Sequence, residues 1–276
     1  MADLVRAQQA VLRSRARQRI ARVMPPAVLV LTILVLWQLG VQWSQVQSWL
    51  LPSPTAILRA AWDARGLLGP HILQTTMETI LGFCLALIVG IGLGLLIDYS
   101  SLLRNALYPL LVVSQTVPTV AIAPLLVIWF GYGLLPKVLV VGLICFFPIV
   151  VSTADGLRST DPELIGLLRT MGATRATIFS KVRLPGALPA IYSGVRIAIT
   201  YSVVGAILGE WVGASQGLGI FMLRATNSFR TDWVFVSIAI TAILSLLLFA
   251  LVSIIEHATL RWYYSAARQE SWEELK

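Results

Sequence analysis

Apolar residues occur along this chain in long unbroken runs, with most polar residues confined to the segments between them. Six runs can be marked, at 26–43, 76–98, 107–131, 136–154, 191–213 and 233–256. A helix rises about 1.5 Å per residue, so roughly 20 apolar residues cross a hydrocarbon layer of ~30 Å. The pattern predicts an all-α membrane protein of about six transmembrane helices.

Prolines set the third run apart from the others. Proline removes an amide donor and kinks a helix, and inside a membrane the freed carbonyl groups need a neighbouring helix or a water-filled cavity. The sequence leaves both interpretations of this run open, simple bundle packing and the lining of a pathway. The prolines concerned are Pro109, Pro118, Pro124 and Pro136.

The composition agrees with a membrane location, and the charge predicts an orientation. Of the 276 residues, 57% are hydrophobic and 12% charged, and the net charge is +8. With six crossings, 16 Lys and Arg fall on the side of the termini and five on the other side. The positive-inside rule then predicts a basic cytoplasmic segment over 1–25, a transmembrane domain over 26–260 and a cytoplasmic tail over 261–276. Because membrane topology accounts for the basic residues, no nucleic-acid partner is expected.

One long polar segment, 155–190, lies between the fourth and fifth runs. Asp161, Pro162 and Glu163 form a helix start, with an Asp cap, Pro in the first turn and an acid beside it. Gly172 is expected to end this helix, and a second short helix is expected to run from 173 to a stop at Pro185. Apolar residues recur at helical spacing in both, at Leu164, Leu167, Leu168, Met171, Ile178, Phe179 and Val182.

Two short amphipathic helices under a membrane have two interpretations. They can dock into a groove on a soluble partner. They can also lie on anionic lipid, with basic side chains toward the headgroups. The basic residues are Arg169, Arg175, Lys181 and Arg183.

The loop resembles the cytoplasmic signature of binding-protein-dependent ABC transporter permeases. That signature is E-A-A-x-x-x-G, nine residues, then I-x-L-P. Here the glycine is Gly172, nine residues run over 173–181, and the ending is Val182-Arg183-Leu184-Pro185. The first three positions depart from the signature as Gly166-Leu167-Leu168, and Glu163 lies one turn upstream of the missing acid.

Further segments resemble the branch of the family that imports nitrate, sulfonates, taurine and vitamin precursors. They are Leu51-Pro-Ser-Pro-Thr55, Gln115-Thr-Val-Pro-Thr119, Ala123-Pro124, Trp129-Phe-Gly-Tyr-Gly133, Phe147-Pro148, Gly209-Glu-Trp-Val-Gly213 and Gly217-Leu-Gly219. The Trp-Phe-Gly-Tyr-Gly and Gly-Glu-Trp segments are most similar to permeases for hydroxymethylpyrimidine or riboflavin.

The resemblance implies a type I ABC importer permease in the cytoplasmic (inner) membrane. It also implies two ATPase subunits, an external periplasmic or lipid-anchored solute-binding protein and a second permease copy, as a homodimer. ATP and Mg would be used by the ATPase partner, and no cofactor is expected on this chain. The residues expected to couple to the ATPase are Glu163, Gly166, Gly172, Ala173, Val182, Leu184 and Pro185.

Ionisable residues near the runs are candidates for the pathway, because burying a charge in a membrane is costly. For Glu78 and Arg196, the favoured interpretation is a hydrated position at the membrane–water interface. Glu210 also suits a gate at the outer end of the pathway, facing the binding protein. No Lys or Arg is expected deep in a run, which favours a neutral aromatic solute over an anion such as a sulfonate, taurine or nitrate. The candidate pathway residues are Glu210, Trp211, Tyr201, Phe147 and Trp129.

Two other classes of protein fit the sequence less well. A membrane-embedded enzyme needs paired polar groups at membrane depth, and the only histidines, His71 and His257, lie at the edges of runs. A secondary transporter usually shows internal repeats and coupling residues near the midplane. With no Walker A loop and no metal-binding motif in the sequence, no catalytic residue is expected.

Overall fold

The computed structural model describes residues 24–265, and these residues contain helices and no strand. In chain order the helices are α1 Met24–Ser44, α2 Pro54–Tyr99, α3 Ser101–Ser114, α4 Thr119–Phe130, α5 Leu134–Arg158, α6 Pro162–Thr170, α7 Arg175–Ile178, α8 Leu184–Trp211, α9 Leu218–Asn227 and α10 Thr231–Thr259. Most of the N-terminal basic segment and of the C-terminal tail lies outside the described residues.

Five of the helical segments are long and apolar enough to cross a membrane, and a bent pair makes up to six. The bent pair is α3 and α4, whose axes meet at 99°. The third predicted run, 107–131, is thus divided between two helices, at the place where the sequence put its interrupting prolines. Residues 115–118 leave the helical conformation, and Pro118 enters α4 with an extended backbone at φ −62° and ψ 116°.

The described chain divides into two compact units. One contains residues 24–64 and 225–236, and the other contains residues 65–224 and 237–265. In the first unit, the Ser53 hydroxyl accepts the Ala56 N–H at 3.3 Å and so caps the start of α2. Trp37 packs at a tilt against Phe235, with ring centroids 5.5 Å apart.

The second unit is built around α5, which packs against α2 and α8. Glycines let the α2 backbone approach α5 closely: a Cβ on Gly90 would lie 2.9 Å from Ile149, and one on Gly94 would lie 2.6 Å from Thr153. This confirms the tight packing predicted from the Gly90–Gly94 spacing. The core also contains Cys145, whose thiol donates to the Ala198 carbonyl at 3.2 Å.

The polar loop contains the first predicted short helix, with the predicted caps. Asp161 Oδ1 accepts the Glu163 N–H at 2.8 Å at the start of α6. Gly172 has φ +81° and follows the last turn. Its N–H bonds to Arg169 O, and the Ala173 N–H bonds to Leu168 O, both at 3.0 Å. This is the Schellman arrangement, in which a left-handed residue turns the chain out of a helix.

The second helix of the loop does not stop at Pro185. It begins where predicted, with the Thr174 hydroxyl accepting the Thr177 N–H at 3.2 Å. It then passes through a π-helical turn, Phe179–Arg183, into α8, so that helix runs from 175 to 211. In the π turn the Leu184 N–H bonds to Phe179 O, five residues back. Pro185 follows this π turn directly, so its missing N–H falls where the regular ladder of backbone bonds is already interrupted.

Candidate functional site

The first helix of the loop, α6, presents an uncovered apolar face. None of its residues is buried, and Leu164, Leu167 and Met171 are 41%, 57% and 74% exposed. Gly166, at the position of the missing family acid, has open space around it. Glu163 is also exposed, at the first turn of α6. An apolar helical face of this kind suits a groove on a protein partner.

The second half of the loop is anchored to the membrane domain instead. Ile178 is buried, and Phe179 and Leu184 pack against the main core. Arg183 bonds through Nη2 to Asp98 Oδ1 at 2.7 Å and to the Leu157 carbonyl at 2.8 Å. These contacts join α7 and the turn that follows it to the ends of α2 and α5. Leu184 therefore lies at the anchored base of the loop, away from the exposed face of α6.

The bend between α3 and α4 lines a cavity of about 600 Å³. Phe147 and Tyr201, two of the predicted pathway residues, lie on its wall. Non-helical backbone at membrane depth is tolerated where it lines a cavity, which gives the proline-flanked segment a physical role. The remaining lining residues are Ser114, Gln115, Val117, Pro118, Thr119, Leu143, Ile144, Pro148, Val151, Ser152 and Ile197.

The other three predicted pathway residues lie elsewhere. Trp129, near the end of α4, is 66% exposed, and Trp211, the last residue of α8, is 45% exposed. Glu210 is fully buried and does not line this cavity. The structure therefore brings together only Phe147 and Tyr201 from the predicted set.

Glu78 and Arg196, which were predicted to lie hydrated at the membrane–water interface, both form ion pairs within the protein. Glu78 is fully buried, and its Oε1 accepts bonds from Lys137 Nζ at 2.9 Å and Gln74 Nε2 at 2.7 Å. The favoured interpretation of Glu78 as a hydrated residue is wrong, because a lysine from another helix supplies its counter-ion. Arg196 is half-buried and pairs with Glu256 at 3.3 Å.

Glu210 holds the start of α9. Its carboxylate accepts bonds from the Thr75 hydroxyl and the Gly219 N–H, each at 2.5 Å. The Leu218 N–H bonds to Thr75 Oγ1 at 2.8 Å, and the Gly217 N–H bonds to His71 Nδ1 at 2.9 Å. Three successive N–H groups, which the start of a helix leaves without partners, thus find acceptors on α2 and α8.

Sequence reasoning missed several of these residues. Lys137 counted as an outer-side loop cation, although only 7% of it is exposed. Gln115 and Thr119 were part of a resembling segment but not of the candidate site. A signal for them existed, because polar residues beside Pro118 in an apolar run indicate a break that faces a cavity. Nothing local in the sequence indicated the contact of Thr75 with Glu210.

The comparisons with known proteins give consistent results. A family model described as "Binding-protein-dependent transport system inner membrane component" matches residues 82–261. The formylaminopyrimidine transport permease protein of Halalkalibacterium halodurans is 39% identical over 246 residues, which are 89% of this chain and 98% of that protein. The riboflavin transport system permease protein of Chloroflexus aurantiacus is 39% identical over 237 residues, or 85% and 88% of the two chains.

A third relative comes from the sulfonate branch. The putative aliphatic sulfonates transport permease protein of Bacillus subtilis is 32% identical over 239 residues, which are 86% of this chain and 85% of that protein. Together these matches confirm the resemblance inferred from the loop spacing and the branch segments.

A solved structure supports the fold. An inward-facing form of the MetNI methionine ABC transporter matches with a TM-score of 0.59 and 21% identity, covering 71% of this chain and 97% of that one. At this identity the match concerns the architecture alone. It confirms the predicted type I ABC importer permease fold.

Proposed function

We propose that this chain, which belongs to the family of binding-protein-dependent transport system inner membrane components, imports a small neutral nitrogen heterocycle of the pyrimidine or flavin class. The family membership makes the chain a membrane permease and not an enzyme. An external binding protein would deliver the solute, and two ATPase subunits would drive its passage between two copies of this permease.

The cavity at the α3–α4 bend carries the proposal for the solute. Phe147 and Tyr201 offer ring faces to a flat molecule. Gln115 supplies an amide with both donors and acceptors, which suits the ring nitrogens and carbonyls of a pyrimidine. The volume of about 600 Å³ falls within the range of roughly 300–1,000 Å³ usual for small-molecule sites.

The charge of this cavity argues against a sulfonate. No Lys or Arg is among the described residues that line it. Binding proteins and enzymes usually recognise such anions with Arg or Lys, because charge-assisted hydrogen bonds offset the loss of hydration. The two relatives at 39% identity have names that refer to a pyrimidine and to riboflavin, and the relative named for sulfonates is 32% identical.

The α6 face carries the proposal for ATPase coupling. Its apolar residues are exposed, while the base of the loop is fixed to α2, α5 and α8 through Arg183, Ile178 and Leu184. A displacement of α6 would pass through the turn at Gly172 to α7 and from there to Tyr201, because α7 and α8 form one continuous helical segment.

Uptake competition in cells tests the solute class. Cells that depend on this permease are given labelled hydroxymethylpyrimidine or labelled riboflavin, with taurine and nitrate as competitors. We expect uptake of one labelled heterocycle and no competition by the anions. Uptake of labelled taurine instead, with no uptake of either heterocycle, would contradict the proposed solute class.

A variant pair ties the result to the cavity. Gln115→Leu removes the amide while keeping a similar volume, and we expect it to lower uptake with normal membrane expression. Gln42→Leu is the matched control, since Gln42 is an exposed residue of α1 outside the cavity. Equal uptake by both variants would show that Gln115 does not contact the solute.

A further inference from the structure

A second cavity lies at the C-terminal end of α2, against the polar loop. It has a volume of about 850 Å³. One wall is the last apolar turns of α2, and the other is the underside of α6 and α7. The lining residues are Gly92, Leu95, Leu96, Asp98, Tyr99, Ile165, Arg169, Arg175, Ala176, Ile178, Phe179 and Arg183.

A smaller cavity of about 370 Å³ adjoins it and is strongly basic. The two cavities share Asp98, Ile165, Arg169 and Arg183, and the smaller one adds Arg104 and Arg158 to its lining. Five arginines and one aspartate therefore line the pair. Since Arg183 already pairs with Asp98, the remaining arginines leave a net positive charge.

Polar atoms in the smaller cavity lack partners. Arg104 Nε, Thr160 Oγ1 and Arg183 Nε are buried and have no hydrogen-bond partner among residues 24–265. Arg169 makes no ion pair within the same part of the chain. Buried polar groups are nearly always bonded, so these atoms indicate an acceptor-rich ligand.

We propose that this double cavity binds a phospholipid with an anionic headgroup. The headgroup phosphate occupies the basic cavity, where arginines and the Thr160 hydroxyl supply donors. An acyl chain lies in the larger cavity along Gly92, Leu95 and Leu96. This wall belongs to the apolar run at 76–98, so it favours an occupant with a hydrocarbon part, such as a lipid, over a polar segment of a soluble protein partner.

The site gives the basic residues of the loop a role separate from ATPase docking. A lipid held here would contact both the end of α2 and the underside of α6, behind its exposed apolar face. The two interpretations of the loop, docking and lipid contact, then apply to opposite faces. This inference does not depend on the solute proposed above.

Native mass spectrometry of the full-length permease tests the proposal. The protein in detergent is titrated with phosphatidylglycerol and with phosphatidylcholine of the same acyl chains. We expect phosphatidylglycerol to remain bound at energies that remove phosphatidylcholine, and excess inorganic phosphate not to displace it. Equal retention of the two lipids, or displacement by phosphate, would overturn the proposal.

Two variants test the two halves of the site. Arg104→Gln with Arg169→Gln removes two headgroup donors and should weaken phosphatidylglycerol binding roughly thirtyfold. Lys181→Gln with Arg261→Gln is the matched control, because it removes two exposed charges that do not line either cavity.

The second variant fills the acyl cavity. A Cβ on Gly92 meets nothing within 4 Å, so Gly92→Phe can occupy the cavity without a clash at its Cβ. Gly69→Phe is its control, at another α2 glycine with open space. We expect Gly92→Phe to lower lipid retention and Gly69→Phe not to. Unchanged phosphatidylglycerol retention in both test variants would overturn the proposal, as would loss of ATPase co-purification from the arginine variant with lipid retention intact.

Discussion

Glu78 and Lys137 form a buried ion pair between α2 and α5, at 2.9 Å with side chains 0% and 8% exposed. Removing two charges from water costs several kcal/mol, which the attraction between them offsets only when both partners are present. Glu78 Oε2 is buried and has no hydrogen-bond partner, so the carboxylate depends on the bonds that Lys137 and Gln74 donate to Oε1. At the scale of single residues, a substitution that removes one partner of this pair should therefore lower the stability of the protein strongly.

Lys137→Met should leave the Glu78 carboxylate buried without a counter-ion. We expect a loss of about 3–5 kcal/mol in stability, because an unpaired buried charge is strongly unfavourable. The measurement is the thermal midpoint of the purified protein in detergent.

The double variant Glu78→Leu with Lys137→Met is the control for this prediction. It removes both charges and should recover most of the loss, since replacing both partners by apolar groups is often neutral. A double variant as unstable as the single one would mean that the effect comes from packing rather than charge.

Gly172 determines how α6 ends. Its φ of +81° lies in the left-handed region, and a Cβ there would meet no atom within 4 Å, so the constraint is in the backbone alone. Gly172→Val should cost roughly 1–2 kcal/mol locally and disturb the orientation of α6. We expect near-normal membrane expression with reduced ATPase co-purification and reduced uptake.

The variant Gly172→Asn distinguishes the effect of backbone strain from the effect of side-chain size at this position. Asparagine enters the left-handed region more readily than a β-branched residue, so this variant should retain most of the co-purification. Full ATPase binding and full solute-stimulated hydrolysis by Gly172→Val in vesicles would show that this turn is not part of the coupling element.

At the scale of elements, the loop has two halves with different surroundings. Leu167 on α6 is 57% exposed, whereas Leu184 at the start of α8 packs against the core. The same substitution should therefore have different consequences in each half. Leu167→Asp should weaken ATPase co-purification and leave the thermal midpoint unchanged.

Leu184→Asp is the comparison for Leu167→Asp. It places a charge against apolar helices, so it should lower the thermal midpoint as well as uptake. If Leu167→Asp lowered stability as much as Leu184→Asp, the α6 face would be packed within the permease and not available to a partner.

At the scale of the whole molecule, the distribution of basic residues predicts orientation. We expect both termini and the 155–190 loop in the cytoplasm, and the turn between α9 and α10 outside. With Cys84 replaced by alanine, Thr174→Cys and Ser228→Cys provide one exposed thiol on each side, because the remaining Cys145 is buried.

Labelling of intact cells with an impermeant maleimide tests this orientation. Ser228→Cys should react directly, whereas Thr174→Cys should react only after permeabilisation. The reverse result would invert the topology. Equal labelling of both sites in intact cells would contradict a loop that is confined to one side.

Features that depend on neighbouring residues could be predicted from the sequence alone. The apolar runs, the Asp161 cap, the turn at Gly172 and the close approach at Gly90 follow from interactions within one or two turns or from side-chain size. The spacing of the loop and the resembling segments elsewhere in the chain predicted the family as well.

Tertiary structure decided the features that depend on how helices face one another. Glu78 and Lys137 are 59 residues apart, and Thr75 and Glu210 are 135 residues apart, so no local pattern relates them. The helix continues through Pro185 after the π turn, and Phe179 and Leu184 beside it pack against the core that α2, α5 and α8 form. The two cavities likewise form between helices, where the rotation of each helix determines which side chains converge and which charges find a partner.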